Sequence, residues 1–294
     1  MISYIFPGQG SQFPSMGREL FEHFQKARDL FKRANEVLGF KISEILFEGS
    51  TQELKETKMA QPAIYIHSVI LAKLMNDFNP FCVAGHSLGE FSALAAINAI
   101  DFEEGLKLVQ RRAMAMQKAC ERNPLSGMVA VLGLEEKIVE EVCGEIKGVF
   151  PANYNAPGQI ILSGEEKALE KASEVLKKRG AKRLLPLLVS GAFHSPFMQG
   201  AKEELALAIE NTPFKEPICP IYQNVDGLPT TLITLIKQKL IDQLTQGVRW
   251  QRTVENIIEK GIDEFVEIGP GNVLQGLVKK INKQVKVSSA KVII

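Results

Sequence analysis

Ser87 lies in a short segment whose residue types and spacing fit a serine nucleophile. Four residues that read as a buried strand, 81–84, run into Gly85-His-Ser-Leu-Gly89, and a helix of small residues is expected over 90–99. This is the G-x-S-x-G nucleophile elbow in its required setting of strand, tight turn and helix. The helix start leaves the backbone N–H of Leu88 free to face an oxyanion. The setting favours a nucleophile at Ser87 over a plain glycine-rich turn.

His194 is the histidine best placed to act as the general base for Ser87. It lies in a loop, residues 190–196, downstream of the elbow and outside any regular pattern. A positioned histidine can take the proton of a serine hydroxyl during attack. His86 is the competitor, but a residue beside the nucleophile on a tight elbow generally points away from it. His67 lies on an apolar helix and is most simply a core histidine.

Arg112 is predicted to point inward, whereas its neighbour Arg111 is predicted to face solvent. At 100° per residue, Arg112 falls within the apolar arc of a helix over 101–120, and Arg111 falls on the opposite side with Lys107 and Lys118. A guanidinium keeps its charge and must find an anion. That anion is either a buried carboxylate of the protein or a carboxylate on the substrate, gripped bidentately; the helix alone does not decide between them.

Gln9 lies in a glycine-containing loop, Pro7-Gly-Gln-Gly-Ser-Gln12, which follows a short apolar strand at residues 2–6. Open α/β sheets bind ligands at the carboxyl ends of their strands, so Gln9 could line a site there. The loop lacks the Lys-Ser/Thr ending of a P-loop and is a poor phosphate loop. A plain turn is the alternative.

The elements around these residues predict an α/β-hydrolase-like parallel-sheet large domain. Its expected strands are residues 2–6, 81–84, 220–225 and 265–268, and its expected helices are residues 17–38, 51–57, 63–75, 90–99, 101–120, 231–245, 252–260 and 273–281. The segment 226–231 and the tail after residue 284 carry no motif and receive no assignment.

A second unit is predicted between the two parts of the large domain. Strands are expected at 128–132, 149–153, 159–162 and 183–189, with helices at 135–146 and 165–179. The order βαββαβ is that of a ferredoxin-like module. We therefore expect residues 1–126 and 191–294 to form the large domain, and residues 127–190 to form an inserted ferredoxin-like small domain.

Composition excludes several classes of protein. The chain has 294 residues, is 45% hydrophobic and carries a net charge of +1, which argues against bulk nucleic-acid binding. No apolar run approaches the ~18 residues of a membrane span, and no signal peptide is evident at the N-terminus. The four cysteines form no C-x-x-C pair, so we expect reduced thiols, a cytoplasmic protein and no metal site.

Taken together, the motifs resemble the malonyl-CoA:acyl carrier protein transacylase family over residues 2 to about 283. The length is similar to that of the stand-alone enzymes of bacterial type II fatty-acid synthesis. The segments that carry the resemblance are residues 7–12, Gln61-Pro-Ala63, Gly85-His-Ser-Leu-Gly-Glu90, the helix of Arg112, Asn153-Tyr-Asn-Ala-Pro-Gly158, Gly191-Ala-Phe-His194, Gln243, Val248-Arg-Trp250 and Gly269-Pro-Gly271.

The resemblance implies a ping-pong transfer in which Ser87 attacks malonyl-CoA, His194 takes its proton, and an acyl carrier protein collects the malonyl group. It also implies an oxyanion hole from the N–H groups of Gln9 and Leu88, and a backbone carbonyl at Gln243 that orients the histidine. Substrate contacts are implied for Arg112, Phe193, Gln61 and Asn155. The resemblance implies no metal or redox cofactor.

Phe193 and Leu88 accompany malonyl preference in the resembled family. The partners are then malonyl-CoA and a transiently bound, acidic carrier protein, with no nucleic acid or membrane, and we expect a monomer. Two basic clusters could dock the carrier: residues 177–183 and Lys279, Lys280 and Lys283. Solvated helix ends explain both clusters equally well.

Three other functions remain open. A free-standing acyltransferase that loads a polyketide synthase would show the same residues. A serine thioesterase or hydrolase is disfavoured, because the downstream Asp-then-His order is absent and an esterase does not require Arg112. A non-enzymatic scaffold that binds the carrier protein is disfavoured while Ser87 and His194 are both present.

Overall fold

The computed structural model describes residues 1–292, and these contain ten strands in two sheets. In chain order the strands are β1 (Ile2–Phe6), β2 (Cys82–Gly85), β3 (Ser126–Leu132), β4 (Val149–Ala156), β5 (Gln159–Glu165), β6 (Arg183–Pro186), β7 (Ile221–Tyr222), β8 (Pro229–Thr230), β9 (Glu264–Glu267) and β10 (Lys286–Ser289).

Thirteen α-helices and one short 3₁₀ helix, Pro196–Met198, connect the strands within the same residues. The α-helices are α1 (Arg18–His23), α2 (Gln25–Leu38), α3 (Ile42–Glu48), α4 (Thr51–Lys55), α5 (Thr57–Leu74), α6 (Gly89–Ala96), α7 (Phe102–Arg122), α8 (Glu136–Glu145), α9 (Glu166–Lys178), α10 (Gln199–Glu210), α11 (Ile233–Asp242), α12 (Trp250–Glu259) and α13 (Val273–Ile281).

The larger sheet has the strand order β10-β9-β1-β2-β7-β8 and is parallel except for β8, which pairs antiparallel with β7. Its register sets Phe6 of β1 opposite Gly85 of β2, so the carboxyl ends of these central strands meet. The loops that follow β1 and β2 carry Gln9 and Ser87. A parallel sheet therefore brings the two predicted site segments to one edge, where such sheets bind ligands.

The smaller sheet has the order β4-β5-β3-β6, with every neighbouring pair antiparallel. Helices α8 and α9 pack on it around a core of their own, which includes Val139, Leu169 and Leu176. The order βαββαβ and this strand arrangement are those of the ferredoxin-like module. The predicted fold class, a parallel-sheet domain with an inserted antiparallel module, is thereby confirmed, while the domain limits at 126/127 and 190/191 stay a prediction.

The last strand of the module is shorter than predicted. It ends at Pro186 and not at Val189, because the N–H of Val189 turns back to the carbonyl of Leu187 instead of bonding to a neighbouring strand. Leu188 is consequently 91% exposed. The predicted strand over 220–225 is likewise reduced to the two residues of β7.

Helix α5 differs most from its predicted limits, since it begins at Thr57 and contains Pro62. A proline at this sixth helical position removes one backbone hydrogen bond and costs about 3 kcal/mol. Complete burial of Ile64, Tyr65 and Ile66 offsets that cost at ~1.5–3 kcal/mol for each large side chain. The expected helix over 17–38 is also interrupted, where the extended backbone of Phe24 separates α1 from α2.

Within residues 1–292, none of the helices combines the length and the apolar character needed to cross a bilayer.

Candidate active site

The elbow holds Ser87 in a strained backbone conformation. Ser87 has a φ of 52°, in the left-handed region, between the end of β2 and the start of α6. A Cβ added to Gly85 would lie 2.0 Å from the carbonyl carbon of Gly89, and one added to Gly89 would lie 2.0 Å from the carbonyl oxygen of Phe6. Both positions therefore require glycine. A non-glycine residue at such a φ costs about 1–3 kcal/mol, and this kind of strain clusters at functional sites.

His194 contacts the nucleophile directly. Its Nε2 lies 2.8 Å from the Ser87 Oγ, and its Nδ1 lies 2.8 Å from the carbonyl oxygen of Gln243. A carbonyl only accepts hydrogen bonds, so Nδ1 carries the proton and Nε2 is left as the acceptor for the serine hydroxyl. Burial and then the nearby Arg112 lower the pKa of His194 to about 3. The imidazole is therefore neutral at physiological pH, as a general base must be.

His86 points away from the Ser87 hydroxyl. Its Nε2 is 2.8 Å from Oδ1 of Asn155, and its ring lies 5.6 Å from the ring of Trp250. The side chain of Asn155, expected to contact substrate, thus has its oxygen engaged by His86. Asn155 also lines the cavity, and no hydrogen bond within the described residues occupies its Nδ2.

Arg112 is buried and lies beside the nucleophile, whereas Arg111 is exposed. One nitrogen, Nη2, donates to the Ser87 Oγ and to the Gln243 Oε1, each at 3.0 Å. The other, Nη1, donates to Oε1 of Gln61 at 2.6 Å. Burial lowers the pKa of Arg112 to about 10, so the group stays a cation at neutral pH.

No carboxylate in the part of the chain that the structure describes lies within ion-pair distance of the Arg112 guanidinium. The surface ion pairs lie elsewhere, and the Nε of Arg112 is buried with no hydrogen-bond partner among the described residues. A buried cation held only by neutral acceptors retains most of its capacity to bind an anion. The buried carboxylate of Glu90 raises the pKa of Arg112 through space without an ion-pair contact, so the guanidinium still has N–H groups for an anion supplied from outside the protein.

The two predicted oxyanion donors are free to act. Leu88 immediately precedes α6, and Gln9 lies in the loop after β1. Within residues 1–292, neither backbone N–H donates a hydrogen bond to another protein group. Both residues line the cavity that contains Ser87. The side chain of Gln9 is held separately, by a bond from its Nε2 to Oγ1 of Thr57 at 3.3 Å.

A cavity of about 380 Å³ opens above Ser87, between the two sheets. Its described lining contains two cations and no carboxylate. Arg112 lies at its buried end, and Lys55, at the end of α4, is exposed. Phe193 supplies a buried aromatic wall. A ligand that is anionic at both ends and apolar between them matches this distribution.

The two basic clusters differ in their position. Arg179, in the first cluster, pairs with Glu141 and Glu145 on the small domain at 4.0 and 3.9 Å. In the second cluster, Lys280 donates to Oε1 of Gln159, a residue that lines the cavity. Only the second cluster is thus shown beside the cavity.

The sequence reasoning missed two buried residues next to the elbow, Glu90 and Asn224. Burial raises the pKa of Glu90 to about 7, and its carboxylate accepts the backbone N–H of Asn224. The side chain of Asn224 in turn bonds to the N–H of Ser87 and to the carbonyl of Gly85. The signal was present in Gln223-Asn224, two polar residues at the carboxyl end of a strand that neighbours the elbow strand.

The site as a whole combines a serine, a neutral histidine base, two free N–H donors and a buried cation. These groups suit attack of the serine on an acyl carbonyl whose acyl group is anionic. Across the described residues there is also no cluster of three or more His, Cys, Asp or Glu side chains that could hold a metal ion.

Comparison with known proteins gives consistent matches along the chain. Residues 3–294 match the model of the acyl transferase domain family. A malonyl CoA-acyl carrier protein transacylase of Bacillus subtilis is 41% identical over 97% of this chain and 92% of its own length. Relatives of the same name from Staphylococcus aureus are 39% identical.

Solved structures agree with the sequence matches. An acyl carrier protein S-malonyltransferase from Vibrio cholerae superposes with a TM-score of 0.95 at 36% identity, over 99% of this chain and 97% of that one. A malonyl-transacylase in complex with its type II polyketide synthase acyl carrier protein superposes with a TM-score of 0.93 at 37% identity, over 98% of this chain and 94% of that one.

Proposed function

This chain belongs to the acyl transferase domain family and is an acyltransferase, and we propose that it moves a malonyl group from malonyl-CoA to the phosphopantetheine thiol of an acyl carrier protein. Arg112 is the residue that favours malonyl as the acyl group. It is a buried cation without a carboxylate partner among the described residues, and its Nη2 lies 3.0 Å from the Ser87 Oγ. A malonyl ester on Ser87 would place its free carboxylate near that guanidinium.

In the first half-reaction, the Ser87 Oγ attacks the thioester carbonyl while its proton passes to Nε2 of His194. The carbonyl oxygen becomes an oxyanion, which the N–H groups of Gln9 and Leu88 stabilise. The C–S bond then breaks, CoA leaves as a thiol with the proton from His194, and malonyl stays on Ser87. The Gln243 carbonyl holds the imidazolium that exists between these steps, so the base is a dyad oriented by a backbone carbonyl.

In the second half-reaction, the thiol of the carrier protein gives its proton to His194 and attacks the Ser87 ester. The same donors stabilise the second oxyanion, and the Ser87 Oγ leaves with the proton. Every step uses side chains and backbone groups of this chain together with the two substrates. The buried aromatic wall of Phe193 limits the access of water to the ester.

The Arg112 guanidinium would grip the malonyl carboxylate through two N–H groups. Gln61 keeps the guanidinium in place through Nη1, and its own Nε2 lies 3.4 Å from the sulfur of Met116. Because Nη2 donates to the Ser87 Oγ in the unacylated enzyme, acylation frees that donor for the carboxylate. The cation thus serves the nucleophile first and the acyl group second.

The two cations also orient the whole substrate. With malonyl at Arg112, the pantetheine arm would run along the cavity, and the phosphate at the far end of the arm would approach Lys55. The same arm is present on CoA and on the carrier protein. An acidic carrier docking beside the cavity would meet Lys280.

We propose that the product, malonyl-acyl carrier protein, supplies fatty-acid synthesis. Loading of a polyketide synthase remains the second candidate, because one solved relative was captured with a type II polyketide synthase acyl carrier protein. Pairing the purified enzyme with each class of carrier protein and comparing kcat/KM separates the two roles.

The intact mass of the protein after mixing with malonyl-CoA tests the proposal. We expect a malonyl adduct on the wild type, mapped to the peptide that contains Ser87, absent from Ser87→Ala and discharged by the thiol form of an acyl carrier protein. Steady release of free malonate without transfer to the carrier would identify a hydrolase instead.

A further inference from the structure

Asn224 lies directly beside the elbow, although it contacts neither of the substrates proposed above. It follows β7, which pairs in parallel with the elbow strand β2 through Val83–Ile221 and Ala84–Tyr222. The segments that follow β2 and β7 therefore leave the sheet side by side. Asn224 is fully buried, so its polar groups must all be satisfied within the protein.

The carboxamide of Asn224 bonds to two backbone groups of the elbow, which flank His86 on the N-terminal side of Ser87. Its Oδ1 accepts the N–H of Ser87 at 2.7 Å, and its Nδ2 donates to the carbonyl of Gly85 at 2.7 Å. One side chain must thus supply an acceptor and a donor at the same time. At neutral pH asparagine does so without carrying a charge, whereas aspartic acid can do so only when it is protonated.

The second peptide plane at Ser87 is held by a neighbouring carboxamide. Nε2 of Gln243 donates to the carbonyl of Ser87 at 3.1 Å and to Oδ1 of Asn224 at 3.3 Å. That carbonyl shares a planar trans peptide with the N–H of Leu88, so fixing the oxygen aims the N–H in the opposite direction. The two amides together determine where the Ser87 Oγ and the Leu88 N–H point.

Asn224 is itself held at its backbone. Its N–H donates to the buried carboxylate of Glu90, and its carbonyl accepts the N–H of Arg249 at 2.8 Å. The side chain therefore projects from a fixed base and not from a mobile loop. A serine in the left-handed region of backbone conformation, as Ser87 is, needs such bonds from other residues because its own backbone geometry is unfavourable.

We infer that Asn224 is a positioning residue, which locks the strained elbow so that the Ser87 Oγ faces His194 and the Leu88 N–H faces the oxyanion. This inference rests on the proposed role of Ser87 as the nucleophile. A displacement of about 1 Å at a reacting atom can cost ~10²-fold in rate, so the loss of the clamp should appear in the chemical step.

Asn224→Ala removes both bonds to the elbow, and Asn35→Ala is the matched control. Asn35 also makes two amide bonds, to the N–H of Ser43 at 3.1 Å and to its Oγ at 2.9 Å, between α2 and α3 and away from the cavity. We expect both substitutions to lower the Tm of the protein. Only Asn224→Ala should slow acylation of Ser87 by malonyl-CoA, by roughly 10- to 100-fold in the rate constant, with KM and the malonyl-to-acetyl preference nearly unchanged.

Asn224→Asp adds a measurement of how the acylation rate depends on pH. A purely structural role for Asn224 would not change this dependence. A protonated aspartic acid can both donate to Gly85 and accept from Ser87, whereas the carboxylate can only accept. The neighbouring ionisable groups, Glu90, Arg112 and His194, are present in both Asn224→Asp and wild type, so their own titration cancels in the ratio of the two rates. The rate ratio of Asn224→Asp to wild type should therefore rise from pH 8 to pH 5, while the ratio for Asn224→Ala stays flat.

A fluorophosphonate reagent that labels activated serines gives a readout independent of malonyl-CoA. Slower labelling of Asn224→Ala than of Asn35→Ala supports the inference even if the wild type forms no malonyl adduct, an outcome that would overturn only the proposed function. Labelling and acylation of Asn224→Ala at the rates of Asn35→Ala would overturn the inference, as would a change confined to KM.

Discussion

The guanidinium of Arg112 and the hydroxyl of Ser87 are in direct contact, with Nη2 lying 3.0 Å from Oγ. The hydroxyl oxygen thus has a cation on one side and the Nε2 of His194, at 2.8 Å, on the other. In the proposed mechanism, the cation would favour the negative charge that develops on the oxygen during deprotonation, and the imidazole would accept the proton. In the proposed mechanism, specificity for an anionic acyl group and activation of Ser87 would therefore depend on the same side chain.

Arg112→Ala should shift acyl preference from malonyl toward acetyl. Removing one member of a buried charge pair costs about 3–5 kcal/mol, so the ratio of malonyl to acetyl kcat/KM should fall by roughly 10²- to 5 × 10³-fold. Arg111→Ala, one residue earlier and exposed, is the control and should leave the ratio unchanged. Equal losses with both thioesters would mean that Arg112 supports Ser87 or the fold and does not select the acyl group.

His194→Ala and His86→Ala compare the two histidines that the sequence offered as bases. Loss of a general base slows proton transfer by about 10²- to 10⁴-fold, so His194→Ala should show at least the lower figure in stopped-flow acylation. His86 bonds to Asn155 and not to Ser87, and its replacement should have a much smaller effect. A larger loss in the His86 variant would contradict the assignment of the base.

Glu90→Gln should change how stability depends on pH. Burial raises the pKa of Glu90 from 4.5 to about 7, so the folded state holds a proton that the unfolded state releases between these values. The cost of ionising the folded carboxyl is absent below pH 4.5 and complete above pH 7, at about 3 kcal/mol or less. Glutamine avoids it, so the variant should gain stability relative to wild type as pH rises from 5 to 8.

Urea unfolding at both pH values measures this difference, and Glu210→Gln, at an exposed position, is the control. His67 produces the opposite trend: burial lowers its pKa to about 4, so stability falls as pH drops below 6.5. Both proteins share His67, and its contribution cancels in the comparison. A pH-independent difference between Glu90→Gln and wild type would contradict the raised pKa.

Lys55→Ala should weaken the binding of substrates that carry a phosphate. An exposed lysine contributes about 0.2–1 kcal/mol to a charge contact, so KM for malonyl-CoA should rise by roughly 1.5- to 5-fold. Malonyl-N-acetylcysteamine lacks the phosphates and should show no change. Lys58→Ala, whose side chain pairs with Glu56 at 3.0 Å, is the control. An equal change in KM for both thioesters would exclude a phosphate contact.

The sequence specifies the site most clearly where chemistry and local geometry coincide. Ser87 is recognisable because its turn requires glycine at fixed positions, and Arg112 because helical periodicity separates it from Arg111. Pairing across the chain is not encoded locally. The clamp formed by Asn224 and the side-chain bonds of Gln243 arise only when distant segments pack, so the family resemblance implies a carbonyl at 243 but not its amide contacts.

The prediction of secondary structure from the sequence was wrong at several segments for similar reasons. Pro62 signals a helix start by local rules, yet the burial of α5 from Ala60 to Ala72 outweighs the lost hydrogen bond. Strand β10 consists of residues with no motif, and its pairing with β9 stabilises it. The sequence analysis did not predict helices α3 and α10. In each case the tertiary environment, and not the segment itself, determines the conformation.

The bonds that hold the site span long stretches of chain: His194 lies 107 residues after Ser87, and Gln243 lies 156 residues after it. During synthesis on the ribosome, the serine therefore emerges well before its base and before the carbonyl and amide that orient the site. Contacts of such high sequence separation also form late in folding. If Ser87 is the nucleophile as proposed, a nascent or truncated chain that ends before residue 243 would contain it without the groups needed to react with malonyl-CoA.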